Sequence, residues 1–393
     1  MNTIQHLPTE LLIDLFCISL GDAVPLPAPL KRGVVSNVSH NPLNLGLVCK
    51  RWRSITFTFP ALWTTINVRN PIPSDVPVLN EWLERSGQHP LDISFQESHS
   101  HSKNSAMAQI LPVALQHHTR WRKLRLAISS DAEAAFSASR ISSLPLLQSI
   151  TIIGLGKIHP VVKDAFLSQL YGSSPALQDL KLGIKLDNNT LAHVPWERLE
   201  SVDLRSVHAS QLHPILKASR NLRDLNIRGV EGMPQYFVTH VELPFLQKLS
   251  VSADDALCGF FSSATLPGLT ELRIGPGINP DRHFIWNSLE RLLQRSGCTL
   301  RSLECGALSE GNHSSDPLMS LLWSPTMAGI HELTVFSNVR AGTVMSLVHG
   351  DYPTVHLLPE LRMLTIGRMT SVDQGMVSTV MSSRSQCCAR VCK

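Results

Sequence analysis

The sequence predicts an α/β protein in two parts, a small all-helical module followed by a long array of strand-and-helix units. Three observations carry the prediction. An apolar-x-x-apolar-x-apolar triple recurs along most of the chain at near-regular steps. A Leu-Pro lead-in precedes several of these triples at one fixed offset. The stretches between triples hold short helix-like runs. At 393 residues the chain also exceeds what one hydrophobic core usually supports, so two domains or a repeat array is expected.

The helical module comes first. Pro8 stands where a helix starts, in the position where its missing N–H costs nothing, and Thr9 and Glu10 make the first turn polar. Leu11, Leu12, Leu15, Phe16 and Ser19 follow as a stripe on one helical face, and Gly21-Asp22 ends it. Val24 to His40 carries Pro25, Pro27, Pro29 and Gly33 and reads as a loop or insertion, at about residues 21–42. After Asn41-Pro42 a second helix holds Leu45, Val48, Trp52 and Ile55 on one side, with Lys50, Arg51 and Arg53 on the other. Pro60 stops it, and Leu62-Trp63 pack back. Two helices of this size bury too little surface to stand alone, so part of their apolar face is expected to be offered to a neighbour or a partner.

Beyond Trp63 the texture changes. Trp63 to Val68 reads as a strand, Leu79 to Gly87 as a helix closed by its glycine, and Leu91 to Phe95 as an alternating strand. From Trp121 the triples run Trp121-Leu124-Leu126, Leu147-Ile150-Ile152, Leu177-Leu180-Leu182, Leu199-Val202-Leu204 and Leu222-Leu225-Ile227. They continue as Leu246-Leu249-Val251, Leu269-Leu272-Ile274, Leu300-Leu303-Cys305, Ile330-Leu333-Val335 and Leu361-Leu364-Ile366. In a chain that is 43% hydrophobic, one loose triple means little. The spacing means more, because starts fall 22–31 residues apart, close to the period of a leucine-rich repeat. Leu144-Pro145, Leu243-Pro244, Leu266-Pro267 and Leu358-Pro359 also keep phase with the triple that follows, as does Pro175.

Each triple makes a short strand whose apolar side chains point into a stack. Since no repeat can bury its own face, neighbours must supply the core. Helix-like return segments at Asp164–Leu170, Ile215–Ala218 and Leu289–Ser296 complete the unit. The expectation is an irregular leucine-rich-repeat solenoid over 64–370, a horseshoe with a parallel sheet on one face and helices on the other. It departs from the tidy pattern in one respect. Three residues after the last apolar position of the triple the repeat usually places Asn, and here Lys185, Val207 and Val230 stand there. Residues between the apolar strand positions, among them Arg122, Lys123, Arg125, Asp179, Lys181, Asp203, Arg223 and Glu271, form a mixed-charge outward face suited to reading a protein surface.

Composition narrows the function classes. A net charge of +4 with scattered Lys and Arg gives no electrostatic footprint for nucleic acid. There is no run of eighteen apolar residues, hence no expected membrane span. Met1 to His6 lacks a basic stretch leading into an apolar core, so no secretory signal is expected and the sequons at Asn37, Asn188 and Asn312 are expected to stay unmodified. Cys17, Cys49, Cys258 and Cys305 sit singly in apolar contexts, as free thiols of a reducing cytoplasmic or nuclear compartment.

Nothing in the chain spells catalysis or a cofactor. Gly154-Leu155-Gly156-Lys157 lacks the spacing and the Lys-Ser/Thr ending of a phosphate loop and reads as a turn. His99 with His101, and His117 with His118, have no third metal ligand in register. Asp203 and the pair Asp254-Asp255 are isolated carboxylates on strand ends or turns. At the tail Met376, Val377, Val380 and Met381 have helical spacing and would cap the last repeat, while Ser382 onward reads as unstructured, with Cys387, Cys388 and Cys392 in a solvent-exposed tail over 371–393.

The strings Leu7-Pro8-x-Glu10-Leu11-Leu12-x-x-Leu15-Phe16, Leu47-Val48-Cys49-Lys50-Arg51-Trp52-Arg53-x-Ile55 and Pro60-x-Leu62-Trp63 resemble an F-box, and more narrowly the F-box-like domains abundant in mushroom-forming fungi. The gap from Leu20 to Pro42 is longer than a compact F-box has. The resemblance implies that residues 1–63 dock on the Skp-type adaptor, and through it on the cullin, of a cullin–RING ubiquitin ligase. The implied adaptor-binding residues are Leu7, Pro8, Leu11, Leu12, Leu15, Phe16, Leu47, Val48, Trp52, Ile55, Leu62 and Trp63. The solenoid would then hold a target protein, and the chain itself would be no enzyme. The competing expectation is a ubiquitin-independent interaction scaffold whose N-terminal helices cap the open end of the array.

Overall fold

The computed structural model describes residues 4, 7–20, 42–97, 106–128, 141–155, 167–184, 191–232, 239–252, 257–275, 283–306, 321–336, 357–366, 374–383 and 388–391. The chain divides into two compact units, Met1–Pro195 and Trp196–Lys393.

The first unit opens with helices α1 (Thr9–Leu20), α2 (Pro42–Gly46) and α3 (Lys50–Thr58), then a 3-10 turn at Pro60–Trp63. A parallel sheet follows, built of β1 (Thr65–Arg69), β2 (Leu91–Gln96), β3 (Trp121–Ile128), β4 (Ser149–Leu155) and β5 (Asp179–Leu182) in chain order. Helices α4 (Asp75–Arg85) and α5 (Met107–Leu115) lie on the first two returns, and residues 167–172 are helical on a later one. Register puts Ile66, Ile93, Leu124, Ile150 and Leu180 side by side, and Val68, Phe95, Leu126, Ile152 and Leu182 in the next row. All ten are buried. At roughly 1.5–3 kcal/mol for each side chain removed from water, this apolar face is the main term holding the sheet.

The second unit repeats the plan. Its main sheet contains β6 (Ser201–Leu204), and further along the chain come β7 (Val207–His208), helix α6 (Ala209–Ala218), β8 (Asp224–Ile227), β9 (Val230–Glu231), β10 (Val241–Glu242) and β11 (Lys248–Ser252). Then come helix α7 (Cys258–Ser263), β12 (Ala264–Thr265), β13 (Glu271–Gly275), helix α8 (His283–Ser296), β14 (Ser302–Cys305), β15 (Glu332–Val335), β16 (Met363–Ile366), helix α9 (Gln374–Ser383) and β17 (Cys388–Val391). Strands β6, β8, β11, β13, β14, β15, β16 and β17 are parallel neighbours in that order. Strand-and-helix repeats on an all-parallel sheet are thus what the sequence forms.

The lead-in to most repeats is a turn with a physical function. The amide of the first apolar residue donates to the carbonyl three residues back, as in Leu147 to Leu144 (3.2 Å), Leu246 to Leu243 (3.3 Å), Leu269 to Leu266 (3.2 Å) and Leu361 to Leu358 (3.1 Å). Proline occupies the second place of these turns, where its fixed φ is already right. Immediately afterwards each chain crosses to its predecessor: Gln247 donates to the Arg223 carbonyl at 2.8 Å and Thr270 to that of Gln247 at 2.9 Å. The turn therefore sets the phase, and the crossing bond locks one repeat to the next.

The missing Asn is replaced by backbone pairing. Val207 and Val230 pair with each other in the small parallel ladder of β7 and β9, and the Val207 amide donates to the Gly229 carbonyl at 3.1 Å. A second small ladder joins β10 to β12. Lys185 lies outside the described residues, as do the insertion, the three sequons, Asp164 to Phe166, His99, His101, Gly156-Lys157, Asp254-Asp255, Cys387 and Cys392.

Two expectations need correction. The helix foreseen from Pro42 to Ile55 is two helices, because Gly46 ends α2 and Cys49, extended at φ −159°, caps α3 with its sulfur accepting from the Trp52 amide at 3.4 Å. The tail is not irregular throughout: α9 reaches Ser383, and Cys388–Val391 adds a parallel strand to β16, with Cys388 beside Met363 and Val391 beside Ile366. An unpaired last strand is a template for one more, whatever the local composition.

Candidate docking surface on the N-terminal helices

The pieces of the N-terminal motif meet in one body. The Arg51 guanidinium on α3 donates to the Leu7 carbonyl at 2.7 Å and to Thr9 Oγ1 at 3.3 Å, tying the start of α1 to α3. Arg53 Nε donates to the Gly46 carbonyl at 2.9 Å and holds the break between α2 and α3. Phe16 meets Trp52 edge to face, with ring centroids 4.7 Å apart. Trp63 Nε1 donates to the Thr56 carbonyl at 2.8 Å, which closes the 3-10 turn against α3. The run Cys49-Lys50-Arg51-Trp52-Arg53 thus supplies a helix cap, two backbone clamps and an aromatic wedge.

The twelve residues implied by resemblance separate into two groups. Leu12, Phe16, Ile55, Leu62 and Trp63 are buried, and Leu7 and Trp52 are half-buried. Leu11, Leu15, Leu47 and Val48 are exposed, at 50%, 43%, 73% and 60%, and so is Pro8. The single stripe read from spacing is therefore two stripes one residue apart, Leu12/Phe16 facing inward and Leu11/Leu15 outward. The outward set is larger than expected. Ile18 (76% exposed) extends the α1 stripe by one turn, and Leu43 (38%) joins Leu47 and Val48. The i, i+4, i+7 spacing of Leu11, Leu15 and Ile18 was available in the sequence as the signal for that stripe.

The other sequence candidates resolve differently. His117 does not pair with His118 as a metal site: its Nδ1 lies 3.3 Å from the Arg120 guanidinium, and burial together with that positive charge pushes the imidazole pKa down. Arg120 also donates to the His89 carbonyl at 3.0 Å and to Ser86 Oγ at 2.6 Å, so this cluster clamps the end of α4. Asp203 accepts from Arg228 at 2.8 Å and from Asn226 at 3.2 Å. Among the described residues no group of three or more His, Cys, Asp or Glu could hold a metal ion, and no described helix is long and apolar enough to cross a membrane.

No protein-family profile matches the chain, and no curated protein matches it. Among solved structures, it is similar to a chain of the "TLR13-ssRNA13 complex" at 14% identity and a TM-score of 0.36, over 78% of this chain and 42% of that one. The chain therefore spans less than half the length of that protein. It is also similar to a chain of the "Rad7 and Elc1 complex in yeast" at 14% identity and a TM-score of 0.36, over 88% of this chain and 92% of that one.

Proposed function

We propose that the chain is the substrate-recognition subunit of an SCF-type cullin–RING ubiquitin ligase. Its N-terminal helices dock on a Skp-type adaptor, and its sheet binds a target protein. The observation that carries the proposal is the outward stripe of Leu11, Leu15 and Ile18 on α1, together with exposed Leu47 and Val48 in the turn between α2 and α3, in a module whose inward side chains are already packed against Trp52 and Trp63. A surface of this kind is costly to leave in water and suits a partner helix laid across it. The motif residues supply the partner's identity through their F-box resemblance. The chain carries out no bond chemistry; it raises the effective concentration of a target beside the ubiquitin-transfer machinery.

Capture of a Skp-type adaptor by the full chain tests the reading. The wild-type protein should retain adaptor, and a double change Leu15→Glu plus Val48→Glu should release it while the thermal transition stays in place. No capture by wild type, or equal capture by both, defeats the proposal. The pair is preferable to Trp52→Ala, which would strip a packing partner from Phe16.

One observation favours the cap reading as a second role for these helices. Trp63, at the end of the helical module, is 1% exposed and packs on Trp82 of the first repeat helix. If the module is only a cap, a chain starting at residue 61 aggregates or melts much lower than the full chain; a pure docking module leaves the remainder folded.

A further inference from the structure

We infer that the sheet face of the first unit holds a phosphoryl-binding site formed by Arg69 and Arg125, with Ser94 and Gln96 between them. Register places Arg69 beside Gln96 on the neighbouring strand, and Ser94 beside Arg125. Alternation puts all four on the face opposite the apolar core, since Val68, Phe95, Leu124 and Leu126 point the other way. Arg69 is 9% exposed, Ser94 7% and Gln96 8%, unusually low for polar groups on a sheet's outward face.

The two guanidiniums lack what buried cations normally have. Among the described residues Nε of Arg69 and Nε of Arg125 are both buried with no hydrogen-bond partner, and neither side chain meets a carboxylate within ion-pair distance. Asp92, two residues before Ser94 on the same strand, is committed elsewhere: it accepts two bonds from Arg122, at 2.8 and 2.9 Å, and lies 3.6 Å from Lys123. Gln96 is turned along its own strand, its amide donating to Ser94 Oγ at 2.9 Å. In the second unit basic groups on the same kind of face find acids, as in Arg228 with Asp203 (2.8 Å), Lys248 with Glu271 (2.8 Å) and Arg273 with Glu304 (3.3 Å). Burial lowers both arginine pKa values, and the Arg69 charge lowers that of Arg125 further.

Two fork-shaped cations on one face, Arg69 buried and Arg125 half-buried, flank β2 without an acid, and together they call for close to two negative charges and several acceptor oxygens. A carboxylate brings one charge; a phosphoryl group brings about 1.5–2 charges and three acceptor oxygens. The strands holding the arginines are tied to one another at this end. Asn70, left-handed at φ 44°, turns the chain after Arg69 while its amide donates to the Gln96 carbonyl at 2.9 Å, and the Glu97 amide donates to the Ala127 carbonyl at 2.7 Å. On the target-binding reading of the sheet, on which this assignment of source rests, the phosphoryl group belongs to a phosphorylated side chain of the target.

The test is titration of the full chain with inorganic phosphate, and with acetate at matched ionic strength, followed by calorimetry. Phosphate should bind and acetate should not, and Arg69→Gln plus Arg125→Gln should weaken phosphate binding roughly tenfold or more. Arg125→Lys, which keeps the charge but loses the fork, should fall between them. No phosphate binding by wild type, an equal response to acetate, or equal binding by the double variant overturns the site. A random phosphoserine peptide pool and its unphosphorylated twin separate the sources. Enrichment of the phosphorylated pool supports a target side chain, and phosphate binding without enrichment overturns that source. None of these measurements involves the adaptor, so their failure is distinct from failure of the ligase reading.

Discussion

The indoles of Trp63 and Trp82 meet edge to face, ring centroids 5.0 Å apart and planes at 78°. The contact joins the last turn of the helical module to the first helix of the sheet. Phe57 also stacks on Trp63, at 5.9 Å, and the Arg85 guanidinium lies 4.1 Å from the Phe57 ring centre and 4.7 Å from that of Trp63. Arg85 is held there by Glu81, to which its Nε donates at 2.7 Å.

Replacing Trp63 by Ala therefore removes a buried indole, its bond to Thr56 and the surface beneath Arg85. A cost of about 3–5 kcal/mol is expected, read as a lowered midpoint in urea. Arg85→Ala should cost about 1 kcal/mol, mostly through the ring contacts.

The two stripes of α1 separate cleanly in stability. Leu12→Ala should cost about 2–5 kcal/mol, because the site is fully buried. Leu11→Glu and Leu15→Glu should each stay within about 0.5 kcal/mol of wild type, because both side chains face water. Equal losses at positions 11 and 12 would show that the outward stripe is also covered in the free protein.

Tyr171 is buried, its hydroxyl has no hydrogen-bond partner among the described residues, and burial pushes its pKa far above the ordinary 10.0. Tyr171→Phe should stabilise the protein by about 1 kcal/mol at neutral pH by removing an unsatisfied group. The sign with pH follows. Because the folded-state pKa is raised, the contribution is complete below the unfolded value near 10.0 and is lost as pH rises above it. The wild type should thus weaken above pH 10, and the Phe variant should weaken less, by melting across that range.

A Cβ on Gly268 would lie 2.7 Å from the Pro244 carbonyl oxygen, inside any real carbon–oxygen contact. Gly268 sits in the lead-in turn of one repeat, directly over the turn of the repeat before it. Gly268→Ala should force the two turns apart at about 1–3 kcal/mol, seen as earlier unfolding of the second unit.

The repeat frame was legible because its signals are local and periodic. The Leu-Pro turn and the triple sit within nine residues, and their phase survives variable return lengths. The outward half of the α1 stripe was legible only in part, since counting Leu11 with Leu12 merges two faces that lie one residue apart on a helix. Arg69 and Arg125 were not legible as a pair. They are 56 positions apart in sequence, and only the parallel register of β1, β2 and β3 brings them to one patch. The strand at Cys388–Val391 was hidden for a similar reason, because its pairing is decided by the waiting edge of β16 rather than by its own residues.

The crossing bonds between successive turns have a mechanical consequence in the second unit. Among the described residues each strand of its main sheet pairs with the strand before and the strand after, so tension applied at an end is carried by a single ladder at a time. Stretched from its C-terminus, this unit should pay out chain in discrete lengths of 23–31 residues, roughly 80–110 Å each. The sawtooth in force would then reproduce, tooth by tooth, the positions of Leu361, Ile330, Leu300, Leu269 and Leu246.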